Sequence, residues 1–181
     1  LWTEEGVSYQ GRHFQIDNVT VLPRPAQQPH PPVWVSGRRE PAMLRAARLG
    51  DGWLPYFYDP DRYRSSVETI ARAAEEQERD MSDFQWAYFP YISIYDTVNE
   101  AAEVAAEALG GRYLYGGGFR DIVEKYCLLG PVENCIARLQ EYIDAGARHI
   151  VFAVACPRED RSRHLETIAK EIVPHFRKHG F

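Results

Sequence analysis

The chain has 181 residues, of which 45% are hydrophobic and 26% charged, and its formal net charge is −5. That balance supports a buried core and excludes disordered or collagen-like states. The acidic excess leaves no cationic surplus for gripping nucleic acid through bulk charge, and the longest apolar run, 150–156, is far too short to span a bilayer. Three cysteines, Cys127, Cys135 and Cys156, are odd in number and widely spaced. They match neither a disulfide framework nor a zinc pattern, which makes a reducing cytoplasm the expected compartment. The first residues, Leu1-Trp2-Thr3-Glu4-Glu5, lack an initiator Met, a basic segment and an apolar segment. No secretory signal is expected there, and the chain reads as starting inside a larger unit.

In chain order, 7–10 alternates apolar and polar, Gly11 interrupts, and 14–16 resumes, which predicts a β-hairpin continued over 19–22. Pro23, Pro25, Pro29, Pro31 and Pro32 follow within ten residues and predict a stiff, extended connector. A short apolar strand is expected over 33–37, ending at Gly37. Next comes a helix over 42–49, with Pro41 in its first turn and Gly50 closing it. An apolar run over 53–57 precedes an amphipathic helix over 61–80, where Tyr63, Val67, Ile70, Ala71 and Ala74 recur at helical spacing. A strand over 86–95 and a helix over 97–109 come next. Gly110, Gly111 and the run Gly116-Gly117-Gly118 then bracket an irregular insertion near 110–130, with a short helix over 119–129. Residues 131–145 read as a helix capped by Gly146, 150–155 as a fully buried strand, and 164–178 as a last helix.

Strand and helix thus alternate four times, and the strands are almost continuously apolar, the mark of a parallel sheet covered by helices. Four such units are half of an eight-stranded β/α barrel. A doubly wound sheet is the competing arrangement, but no GxGxxG fingerprint follows the first strand. The expected organisation is one domain over 1–181: hairpin and connector over 1–32, then βα units over 33–181.

One turn stands out chemically. Ser36-Gly37-Arg38-Arg39-Glu40 joins a strand to a helix, where backbone N–H groups and the helix dipole favour an anion. Two arginines before a helix N-terminus are unfavourable for the isolated helix and sensible if a phosphate lies against them. The plainer alternative is that both are solvated or paired with Glu40 and Asp51. In Gly50-Asp51-Gly52-Trp53, Gly50 and Asp51 fit a helix end, Trp53 fits the core, and Gly52 admits close approach of a ligand. The six histidines show no metal-ligand spacing beyond an i, i+4 pair at His175 and His179 among basic residues, so no metal is expected. No nucleophile motif is present. Asp96 fits either a strand-end functional position or a helix cap, and Trp86, Tyr88, Tyr91 and Tyr95 read as core.

The segment Pro31-Pro32-Val33-Trp34-Val35-Ser36-Gly37 followed by Ala46-Ala47-Arg48-Leu49-Gly50-Asp51-Gly52-Trp53 resembles the second half of the luciferase-like monooxygenase family. The hairpin Tyr9-Gln10-Gly11-Arg12-His13-Phe14, the helix start Gly130-Pro131-Val132-Glu133-Asn134-Cys135 and the cap Ala145-Gly146 extend the resemblance over nearly the whole chain. It implies a (β/α)8 TIM barrel, here the C-terminal half of about four βα units with an N-terminal β-hairpin insertion. It also implies redox chemistry on a small organic substrate, at a flavin or deazaflavin ring held by the barrel. Position by position, it places the cofactor phosphate on Ser36, Gly37, Arg38 and Arg39, with Gly52 and Trp53 beside it. The ring-facing catalytic groups would fall largely in the first four strands of such a barrel, so no catalytic residue is assigned.

The chain holds 18 Arg against 3 Lys. That bias is typical of GC-rich genomes, as many F420-using lineages have, and leans toward coenzyme F420 over FMN. F420 also continues past its phosphate into a carboxylate-bearing tail that Arg38, Arg39, Arg62 or Arg64 can meet. The alternative is that Arg62 and Arg64 are simply solvated at a helix start. The expected partners are the small-molecule substrate and either a second copy or the other half of the barrel, with no nucleic acid and no membrane. The alternative function is a non-catalytic half-barrel that serves packing or assembly.

Overall fold

The computed structural model describes residues 1–111 and 119–178 and divides into two compact units, Leu1–Val33 and Trp34–Phe181. In the first unit, β1 (Val7–Gln10) pairs antiparallel with β2 (Gln15–Val19). The predicted continuation over 20–22 is not strand. Val19 already pairs with Val7, the first residue of β1, so nothing remains for further residues to bond.

The second unit is built on parallel strands. β3 (Trp34–Val35), β4 (Gly52–Trp53) and β5 (Gln85–Tyr88) run side by side, joined by α1 (Glu40–Leu49) and α2 (Pro60–Glu75). β6 (Tyr91–Ile94) leads into α3 (Val98–Gly110), α4 (Phe119–Tyr126), β7 (Leu128–Gly130) and α5 (Val132–Asp144). β8 (His149–Ile150) and β9 (Ala153–Val154) precede the last helical segment. One sheet has the order β3-β4-β5-β8 and the other β7-β6-β9, and every pairing within them is parallel. Among the described residues no helix is long and apolar enough to cross a membrane.

Several expectations need correction. The strand expected over 86–95 is broken at Phe89-Pro90, because Pro90 has no N–H for the ladder. Its carbonyl still serves: the N–H groups of Arg148, Val151, Ala153 and Ala155 bond the carbonyls of Trp86, Tyr88, Pro90 and Ile92 in turn. The 150–155 strand therefore follows its partner across the same break. Its residues 150–154 are half-buried rather than fully buried, since β8 and β9 are each an edge of their sheet. The helix expected over 119–129 stops at Tyr126 and yields to β7, which pairs with β6. Asp96 is exposed and the cap of α3 is Thr97, whose hydroxyl accepts the Glu100 N–H at 3.1 Å. Of the predicted insertion, 112–118 lies outside the described residues, and so does His179.

The last helix starts at Arg161, three residues earlier than predicted, and is not uniform. α6 (Arg161–Thr167) passes through one π turn, Ile168–Ile172, into α7 (Val173–Lys178). Pro174 accounts for the wide turn. Its ring clashes with the carbonyl four residues back in a regular helix, and a π turn removes that clash.

Helix α2 also ends at Glu75, short of the 80 expected from the sequence. The chain turns instead through Glu78 at φ 52°. That turn delivers the Arg79 guanidinium to the carbonyls of Ala46, Ala47 and Gly50 at 3.1, 2.7 and 2.6 Å. They lie at the C-terminal end of α1, which carries the negative end of the helix dipole, and that of Ala46 also accepts the Gly50 N–H at 3.0 Å. One arginine thus ties the end of α2 to the end of α1. Arg79→Ala is expected to lower unfolding stability by about 2–3 kcal/mol, as for charge-assisted bonds to buried carbonyls. Denaturant melts of parent and variant check it.

His164 fastens the other end of the unit. It is fully buried, its Nε2 accepts the Ile94 N–H at 2.9 Å, and Nδ1 lies 3.0 Å from the Asp160 carbonyl. The Nδ1–H tautomer satisfies both contacts. Burial lowers its pKa below the usual imidazole value, helped by Arg163 and opposed by Asp160. The unfolded chain then binds the proton more readily than the folded one. The stability contributed by neutral His164 is complete above the unfolded pKa of about 6.5 and is lost as pH falls below it toward the lower folded value. His164→Gln should be less stable at pH 8 and should lose part of the parent's decline in melting temperature between pH 6.5 and 5. An unchanged decline would show that the proton is taken up elsewhere.

Candidate functional site

The turn between β3 and α1 is pulled toward the core at two successive peptides. The indole N–H of fully buried Trp53 donates to the Gly37 carbonyl at 3.0 Å. The Arg38 carbonyl accepts from the Arg62 guanidinium at 2.7 Å and from the Tyr58 hydroxyl at 3.3 Å. In a planar trans peptide the N–H points opposite to the C=O. With both carbonyls held in this way, the N–H groups of Arg38 and Arg39 point away from those partners. Neither has an acceptor among the described residues. Gly37 makes the turn possible: its φ of 134° and the 2.6 Å approach of the Ala42 Cβ to any Cβ built there exclude other residues.

The loop after β4 is fixed from both sides. Arg38 donates to the Phe57 carbonyl at 3.2 Å, with its guanidinium 5.6 Å from the Tyr56 ring centre. Tyr142 donates to the Tyr58 carbonyl at 2.6 Å, and burial pushes its phenol up to about 12, so it stays a donor throughout the physiological range. Arg62 stacks over the Tyr58 ring at 4.7 Å while its backbone N–H bonds the Asp59 carboxylate that caps α2. Cation–π contacts of this kind restrain the guanidinium planes at modest energetic gain.

The result is a cavity of about 570 Å³ between the starts of α1 and α2. Four arginines line it, Arg38, Arg39, Arg45 and Arg62, together with Ser36, Gly37, Pro41 and Ala42. No carboxylate lines it, and none of the four arginines forms an ion pair among the described residues. Of the plainer alternative, the pairing of Arg38 and Arg39 with Glu40 and Asp51 is thus not seen, whereas the Arg39 side chain is exposed to solvent. Arg39 precedes α1 as its N-cap residue and supplies no side-chain cap. A smaller hollow of about 210 Å³ shares Ser36 and is walled by Leu54, Tyr56, Phe89 and Tyr91. A cationic chamber and an aromatic one thus meet at one serine, at the C-terminal ends of β3, β4 and β5.

Of the six residues singled out in the sequence, Ser36, Gly37, Arg38 and Arg39 come together on the cavity wall. Trp53 and Gly52 are buried beneath it. Trp53 acts through the Gly37 carbonyl, and the missing Cβ of Gly52 leaves room for the Gln85 carbonyl and Trp34, 2.8 and 2.9 Å from where it would sit. Arg64 lies elsewhere, its guanidinium on the Asp144 carbonyl at 3.5 Å. Arg45 and Tyr58 were not singled out. Arg45 follows Pro41 by four residues, one helical turn, and that spacing is the signal that places it on the same wall. Among the described residues no group of three or more His, Cys, Asp or Glu side chains is arranged to hold a metal ion.

Comparison with known proteins gives this geometry a context. The chain is 23% identical to 5,10-methylenetetrahydromethanopterin reductase of Methanopyrus kandleri, over 95% of this chain and 58% of the relative. It is 25% identical to F420-dependent glucose-6-phosphate dehydrogenase of Nakamurella multipartita, over 98% of this chain and 57% of the relative. The fold superposes on an F420-dependent secondary alcohol dehydrogenase solved with an F420-acetone adduct, with a TM-score of 0.78, 18% identity and coverage of 96% and 57% of the two chains. It also matches a monooxygenase of Streptomyces bottropensis, with a TM-score of 0.75, 22% identity and coverage of 97% and 57%. The chain thus spans 57 to 58% of these relatives' lengths. The sequence model of the luciferase-like monooxygenases matches residues 1–149, and the chain belongs to that family.

Proposed function

We propose that this chain supplies the cofactor-phosphate side of an F420-dependent oxidoreductase acting on a small organic substrate, with FMN as the alternative cofactor. The observation that carries the reading is a cavity lined by four arginines and no carboxylate, on whose wall the Arg38 and Arg39 N–H groups have no acceptor among the described residues. That donor set fits a phosphate, which accepts from several N–H groups at once and is favoured at a helix start. The neighbouring hollow of Leu54, Tyr56, Phe89 and Tyr91 fits one face of a planar ring. When bound, such a cofactor supplies hydride transfer or oxygen activation. The residues of this chain hold its phosphate, orient it relative to the strand ends and exclude water from its apolar side.

F420 is favoured because several relatives carry F420 dependence in their names. It is favoured too because the cavity holds more cationic charge than one phosphate requires. A purely structural module would give no reason to leave Arg39 and Arg45 without partners. We further propose that the sheet order β3-β4-β5-β8 is one half of an eight-stranded barrel, whose other half covers the free edges of β3 and β8. The three free cysteines, all buried, suit a reducing cytoplasm.

The test is a fluorescence titration of the natural protein with F420 and with FMN. Arg39→Ala should weaken binding of the phosphorylated cofactor by about 1.5–3 kcal/mol, the cost of a lost charge-assisted hydrogen bond, with little change in melting temperature. Equal affinity in parent and variant would remove Arg39 from the site.

A further inference from the structure

The four arginines of the cavity are not equivalent. Arg38 is occupied by the Phe57 carbonyl and Arg62 by the Arg38 carbonyl, so both shape the chamber's floor. The Arg39 and Arg45 side chains are exposed and make no hydrogen bond or ion pair with any described residue. Arg45 has no local reason to be cationic. On its helix the neighbours at three and four residues are Pro41, Ala42, Arg48 and Leu49, with no carboxylate among them. It nevertheless lines the cavity beside Pro41 and Ala42, about 6 Å farther along α1 than Pro41 at 1.5 Å per residue. A single phosphate seated on the Arg38 and Arg39 N–H groups leaves that stretch of cationic wall unanswered.

We infer that Arg45, with the guanidinium of Arg39, forms a second anion subsite one helical turn beyond the phosphate turn, and that it takes a carboxylate carried by the cofactor past its phosphate. The inference rests on the cofactor reading above and deepens it. FMN ends at its phosphate and presents nothing to this subsite. F420 continues through a lactyl group into a chain of glutamates, each of which adds a carboxylate. The subsite is therefore a selector between the two cofactors, and it acts through binding rather than through any step at the ring.

Fluorescence titrations of the natural protein test this with three probes: FMN, F420 lacking glutamates, and F420 carrying several. Arg45→Ala should weaken binding of the oligoglutamyl form about tenfold, as one lost charge-assisted contact does, and that of FMN less than about twofold. Arg45→Lys should recover most of the loss. Arg48→Ala, which removes an exposed charge outside the cavity, should leave all three probes within about twofold. An equal loss for FMN and oligoglutamyl F420, an Arg48→Ala effect as large as that of Arg45→Ala, or no loss at all would each overturn the second subsite. If the parent binds none of the probes, the cofactor reading falls and the subsite with it. If the parent binds and Arg45→Ala matches it, the subsite alone falls.

Discussion

The hydrogen bond from the Trp53 indole to the Gly37 carbonyl sets the geometry on which the site depends. Trp53 is fully buried between α1 and α2, 5.1 and 5.5 Å from the Tyr63 and Tyr58 ring centres, so its N–H is a fixed point of the core. A buried indole N–H left unpaired is costly, and the Gly37 carbonyl answers it. The peptide is thereby locked with its carbonyl inward, and the next peptide follows because Arg62 and Tyr58 hold the Arg38 carbonyl. Two N–H groups that point away from these partners are the by-product of satisfying the core. The proposed binding feature is thus held by packing contacts of the core itself, the condition under which donors act without paying for reorganisation.

Charge is arranged with the same economy. Arginines that serve the fold find carbonyls: Arg79 closes α1, while Arg38 and Arg62 brace the loop after β4. Those at the mouth, Arg39 and Arg45, find none. A chain of net charge −5 that keeps four guanidinium groups on one cavity wall without a carboxylate has concentrated its positive potential against its overall sign. A local field of that sign favours a small polyanion at this wall.

Much of this was legible in the sequence, and the failures have physical causes. The alternation of apolar strands and helices indicated a parallel sheet, and the Ser36–Arg39 turn was visible because two arginines at a helix start need an explanation. Periodicity ends at Ala74 and says nothing of 76–80, an all-polar run mostly of good helix formers. The capture of Arg79 by α1 that ends α2 at Glu75 was therefore not legible. β7 was hidden because a three-residue strand has no period of its own and its identity comes only from pairing with β6. His164 was set aside for lack of metal spacing, yet both its ring nitrogens serve backbone groups distant in sequence or one turn away. Gly52 was read as leaving room for a ligand, and the room is taken by the neighbouring strand.

The central claim is that the Arg38 and Arg39 amides form a preset anion cradle. The most direct measurement follows these two amides by nuclear magnetic resonance as F420 or FMN is added to the natural protein. The account requires both amide protons to move downfield together on binding, saturating at the cofactor's own dissociation constant, while the Trp53 indole proton stays where it is. Binding that leaves the two amides unmoved, or that shifts the indole proton as the turn rearranges, would contradict it.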